Sequence, residues 1–99
     1  MPPEPLSEAA IADALPTLEG WTRVGDGIER RFAFGSFGVA FGFMAAVALR
    51  AEKMNHHPEW SNVYDRVEVP LTPHDAPGLS QLDVDLARHM NELASRFTA

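Results

Sequence analysis

The stretch AEKMNHHPEW, residues 51–60, places Glu52 four residues before His56, doubles the imidazole at His57 and stops at Pro58. Half of the chain's four histidines sit in this doublet. Imidazole titrates close to neutrality, so a cluster can hold a protonated and a neutral member together. That mixture suits a reaction needing one acid and one base, each worth about 10²–10⁴-fold. On a helix, Glu52 would share a face with His56, and its carboxylate and the negative helix end would favour imidazolium there. His57 precedes proline, so it should leave the helix and point elsewhere. His74 follows the last apolar strand pattern, in a loop that can complete a site.

Blander readings stand beside this one. A histidine pair at a helix end is commonly a surface feature, and Glu-x-x-x-His is a routine helical pair. Asp83, three residues after Ser80, has the spacing of a capping box, which suffices to account for it. His89 has no acidic cluster near it in sequence and reads as a boundary residue of the last helix. Glu52, His56, His57 and His74 could in principle ligate zinc, yet no His-Glu-x-x-His spacing is present. No metal is expected.

The elements that must position these groups follow from periodicity. Residues 1–6, with three prolines, read as a loose tail. Ser7 can cap a short helix to about Leu15, ended by Pro16. Two strands should flank the turn Gly25-Asp26-Gly27. Phe37, Phe41, Met44, Ala48 and Ala51 then recur at helical spacing as the inward stripe of a long central helix, with Gly42 closely approaching the sheet. PEWSNV and RVEVPLT predict a second hairpin turning near Tyr64-Asp65, and Pro70 implies an edge or irregular position. A last helix should run from Ser80 to about Phe97, with Leu82, Leu86, Met90, Leu93 and Phe97 inward. The fold class is α+β: a four-stranded antiparallel sheet with three helices on one face, in the order α-β-β-α-β-β-α.

Composition narrows the partners. Ninety-nine residues, 45% hydrophobic, suit a single domain spanning 1–99. A net charge of −6, with eight scattered basic residues, argues against a nucleic-acid surface. No cysteine is present, which removes disulfides, thiolate nucleophiles and cysteine-based zinc sites and accords with a cytoplasmic location. The N-terminus lacks a secretory signal pattern. Residues 32–49 carry no charge, which reaches the lower limit for a membrane helix, but a strand passing into a buried helix explains the run better.

Glu52, His56-His57-Pro58, Tyr64, His74 and Asp83, in that order and spacing, resemble the signature of the pterin-4a-carbinolamine dehydratases. RFAFGSFGVAFGFMAAVALRAEKMNHHPEW and NVYDRVEVPL resemble the family's second strand with central helix and its second hairpin, and GLSQLDVDLA its last helix start. The likeness runs from about Arg31 to Ala94. It implies removal of water from a 4a-hydroxytetrahydropterin released by an aromatic amino acid hydroxylase, giving quinonoid dihydropterin for tetrahydropterin recycling. It also implies no metal or redox cofactor, the pterin being substrate, and a homodimer or homotetramer. By resemblance His56, His57 and His74 are catalytic: His56 and His74 as proton donors to the departing hydroxyl, His57 as ring contact and base. Glu52 would orient His56. Asp83, Trp60 and Pro58 would border the substrate. Pro73 departs from the family, in which a threonine often precedes the third histidine. Relatives of this fold also serve as non-enzymatic binding proteins, a transcriptional dimerisation cofactor or an enzyme assembly factor, and that is the alternative function.

Overall fold

The protein is described by a computed structural model over residues 3–73 and 77–98. Ser7 caps α1 (Glu8–Ala14), its hydroxyl accepting from the Ala10 N–H at 3.1 Å, and a 3-10 turn over Leu15–Thr17 carries the chain past Pro16. Gly25-Asp26, with Gly25 at φ 59°, then forms the tight turn between β1 (Thr22–Val24) and β2 (Gly27–Ala33). α2 (Phe37–Met54) follows, capped by Ser36. β3 (Ser61–Val63) and β4 (Arg66–Leu71) form the second hairpin, turning through Tyr64 at φ 54°. α3 (Gln81–Phe97) closes the chain.

All strand pairs are antiparallel, in the order β1-β2-β4-β3. The register explains the layering. Ile28 faces Leu71 and Phe32 faces Val67, all four buried, while on the opposite face the Arg31–Glu68 pair is exposed. Period-two alternation therefore puts one face of the sheet against α2 and α3 and leaves the other to water. The core joins Ile28, Phe32, Val67, Val69 and Leu71 to Phe43 and Val47 of α2 and Leu86 and Met90 of α3.

Several expectations need correction. The inward stripe of α2 is Ala40, Phe43, Val47 and Ala51, and Phe37 and Phe41 are 52% and 57% exposed. In α3, Leu86 and Met90 are buried and the half-buried Leu93 and Phe97 pack against the core as expected, but Val84, Ala87 and Ala94 join them on the inner face and Leu82 does not. Gly42 makes a close approach, but to α3: an added Cβ would lie 3.2 Å from the Phe97 ring. β3 begins at Ser61, three residues later than PEWSNV implied. β4 lies inside the sheet, yet β3 begins at Ser61, opposite Glu68, so Pro70 lies beyond the part of β4 that β3 covers. Within the tail expected to be loose, Pro5 bridges Ser80 and the Leu6 N–H donates to the Leu79 carbonyl at 2.7 Å. The uncharged run divides between the end of β2 and α2, and among the described residues no helix is long and apolar enough to cross a membrane.

A polar hub ties the first hairpin to α3. The Asn91 carbonyl oxygen accepts from Trp21 Nε1 at 2.8 Å and from Arg30 at 2.6 Å, while its amide donates to the Glu19 carbonyl at 3.0 Å. Trp21 is 5% exposed, so removing the acceptor would strand its N–H away from water. Asn91→Ala is expected to cost about 1–3 kcal/mol. Urea unfolding checks this; a midpoint equal to wild type would show that water replaces Asn91.

Candidate functional site

Where α2 ends decides how the histidines point. Asn55 takes the left-handed conformation at φ 52°, and its N–H bonds to the Glu52 carbonyl at 3.1 Å. The His56 N–H reaches back to the Ala51 carbonyl at 3.0 Å. This pair of bonds is a Schellman closure, which asparagine can adopt because its αL conformation is tolerated. His56 is thereby swung off the helix surface, and the expected i, i+4 meeting with Glu52 does not occur.

The carboxylates are instead distributed one to each ring. His56 Nε2 lies 2.6 Å from Asp83 Oδ1, and His57 Nε2 lies 2.8 Å from Glu52 Oε1. An ionised carboxylate can only accept, so in both pairs Nε2–H is the donor, and among the described residues Nδ1 is left for other work. The environments differ. Asp83 and His56 are 6% and 26% exposed at the side chain, Glu52 and His57 80% and 58%. The first pair is a held, charge-assisted contact between α3 and the end of α2; the second is open to water.

Asp83 does two jobs. Its Oδ2 accepts the Ser80 N–H at 2.9 Å, completing the capping box of α3, while Oδ1 takes the His56 ring. The capping box was legible from spacing; the contact with His56 was not. Ser80, 1% exposed, is the capping-box partner expected from spacing, and through that box it fixes the carboxylate that holds His56.

Pro58 and Trp60 follow the histidines in the segment between α2 and β3. Pro58 is half-buried in the segment leading to β3. Trp60 packs against the core and also borders a groove on the open face of the sheet with Glu29, Arg31, Glu68 and Pro70, a groove that neither His56 nor His57 lines. His74 lies outside the described residues. His89 stands apart on α3, its pKa lowered by burial first and by the nearby charge of Arg50 next. Because Glu52 and His57 are exposed, their contact contributes little to folding. Glu52→Gln is expected to leave the melting temperature within about 2 °C of wild type. A larger drop would mean that Glu52 supports the helix end as well as His57.

Comparison with known proteins gives a consistent picture. The family model described as pterin 4 alpha carbinolamine dehydratase matches residues 4–93. A Sinorhizobium medicae protein, provisionally named pterin-4-alpha-carbinolamine dehydratase, is 52% identical over 96 residues, covering 95% of this chain and 91% of its own length. A Rhizobium meliloti protein of the same provisional name is 51% identical over 96 residues, covering 95% and 92%. A crystal structure from Brucella melitensis, described as a transcriptional coactivator/pterin dehydratase, superposes with a TM-score of 0.87 at 47% identity, covering 92% of this chain and 99% of that one.

Proposed function

This chain belongs to the pterin-4a-carbinolamine dehydratase family, and from that premise we propose that it dehydrates 4a-hydroxytetrahydropterin by histidine acid–base catalysis. The observation that carries this reading is the pair of imidazoles at the end of α2, each with Nε2 committed to its own carboxylate. Each ring therefore has one nitrogen paired with a carboxylate, and the His56 ring, held on the buried Asp83, meets the condition for a side chain to give or take a proton at a defined place.

The reaction breaks the C4a–O bond. The departing oxygen gains a proton and leaves as water, while N5 loses its proton and forms the new double bond of the quinonoid product. One proton is delivered and one removed, so no net charge accumulates. His56, backed by the buried Asp83 carboxylate, is suited to donate through Nδ1, because Asp83 can balance the charge of its imidazolium. His57, with only the solvated Glu52 behind it, is suited to act as ring contact and base. His74 would be the second donor, Trp60 and Pro58 would border the pterin, and supply by an aromatic amino acid hydroxylase would place the protein in the cytoplasm. The test is the stopped-flow rate of 4a-hydroxytetrahydropterin dehydration in wild type, His56→Ala and His57→Ala.

Self-association belongs to the same proposal. α2 exposes Phe37 and Phe41, whose rings lie 5.8 Å apart, together with Leu49, which is 78% exposed. β1 pairs only with residues 27–29 of β2, so among the described residues the side of β2 away from β4 has no neighbouring strand over residues 30–33. An apolar helix face and an open sheet edge are what a homodimer or homotetramer would cover. Light scattering should give a mass above one protomer, lowered by Phe41→Glu; a strict monomer would count against association. The binding-only alternative draws on the coactivator wording attached to the Brucella melitensis relative. Absence of dehydration together with recovery of a defined bound protein would favour it.

A further inference from the structure

We infer that the N-terminal segment Pro5–Leu6 is a positioning element for the His56–Asp83 pair, an inference that rests on the proposed role of His56. A chain of short contacts runs from one to the other. The Leu6 N–H donates to the Leu79 carbonyl at 2.7 Å, and Pro5 forms an antiparallel bridge with Ser80. The Ser80 N–H donates to Asp83 Oδ2 at 2.9 Å, and Asp83 Oδ1 meets His56 Nε2 at 2.6 Å. Leu79, Ser80 and Asp83 are 2%, 1% and 4% exposed, so little water is at hand to replace a lost link. Gly78 leaves room for the segment: an added Cβ would stand 3.3 Å from Pro5 Cβ.

The physical content is a rotamer held from both sides. One Asp83 oxygen is fixed by the Ser80 N–H, and the backbone that carries that N–H is held beside Pro5 by the adjoining Leu6 N–H bond to the Leu79 carbonyl. If the bridge opens, Ser80 is freed to rotate, the capping box loosens, and Oδ1 loses its aim at His56. The imidazole then keeps its chemistry but loses its placement. Misplacement of a reacting group by about 1 Å can cost about 10²-fold in rate without weakening substrate binding.

Leu6→Pro removes the donor to Leu79 while keeping an extended, apolar residue ahead of the Ser7 cap. Leu6→Ala keeps that donor and removes the side chain. We expect Leu6→Pro to lower kcat about ten- to hundredfold with KM within about twofold. The downfield NMR resonance of the His56 Nε2 proton, strong while it bonds to Asp83, should be lost, whereas Leu6→Ala should retain both rate and resonance. If Leu6→Pro fails to fold by circular dichroism, Gly78→Val, which presses on Pro5 and deletes no donor, is read by the same two measurements. A Leu6→Pro protein with wild-type kcat and an intact resonance overturns the inference, as does equal damage by Leu6→Ala. His56→Ala separates the two levels. A slow His56→Ala beside an unaffected Leu6→Pro sinks the positioning role alone, whereas a wild-type rate in His56→Ala sinks the reading beneath it, and the resonance still reports whether the segment holds the ring.

Discussion

His57→Ala is expected to slow dehydration of 4a-hydroxytetrahydropterin by about 10²–10⁴-fold, and His56→Ala by the same order, with each protein folded. The folded state should survive because neither ring belongs to the core, His56 being 26% and His57 58% exposed at the side chain. The loss should fall on kcat, since proton transfer is made in the transition state and only weakly in the bound ground state. Asp83→Asn sharpens the test. An amide oxygen can still accept from the Ser80 N–H, so the helix start is preserved, but the carboxylate that would balance an imidazolium is gone. A large rate loss in Asp83→Asn with little change in melting temperature would separate its two jobs. His56→Ala combined with Asp83→Asn should be scarcely slower than His56→Ala alone, because residues acting as a unit are not additive. A His57→Ala protein within about threefold of wild type would remove that ring from the mechanism.

The largest loss of stability should come from Phe43→Ala, about 3–5 kcal/mol. Phe43 is fully buried, and its ring lies 4.9 Å from Phe32, 4.8 Å from Phe34 and 6.4 Å from Phe97. It joins the sheet to both long helices, so little of the resulting cavity can be filled by one neighbour moving. A small domain holds only about 5–15 kcal/mol in all, so this variant should melt roughly 15–30 °C below wild type. Thermal or urea unfolding at fixed protein concentration is the measurement, because association would make the midpoint depend on concentration. Phe43→Leu should recover most of the loss. A Phe43→Ala cost below about 1.5 kcal/mol would mean that the three-ring contact collapses around the gap.

What could be read from the sequence was whatever depends on near neighbours along the chain. Gly25-Asp26 turns its hairpin, Ser80 and Asp83 make their box, and Pro58 follows the end of α2 because each signal lies within a few residues. The faces of α2 were not legible, because both are apolar: Phe37 and Phe41 repeat at helical spacing as well as Phe43 and Val47 do, and only packing shows which set is inside. The Glu52–His56 pairing was misread because it assumed that the helix continues through residue 56. The partnership of His56 with Asp83 crosses 27 residues and depends on how α2 and α3 lie together, a tertiary fact. So does the hold of Leu79 on Leu6.

Asn55 is not one of the proposed reacting groups, yet its left-handed turn parcels out the two carboxylates between the rings. Only a few side chains tolerate that handedness cheaply, chiefly glycine, asparagine and aspartate. A β-branched substitute would prolong the helical path and return His56 toward Glu52, leaving Asp83 without its imidazole. Position 55 should thus prove nearly as intolerant of exchange as the histidines themselves, for a reason of chirality and not of reactivity.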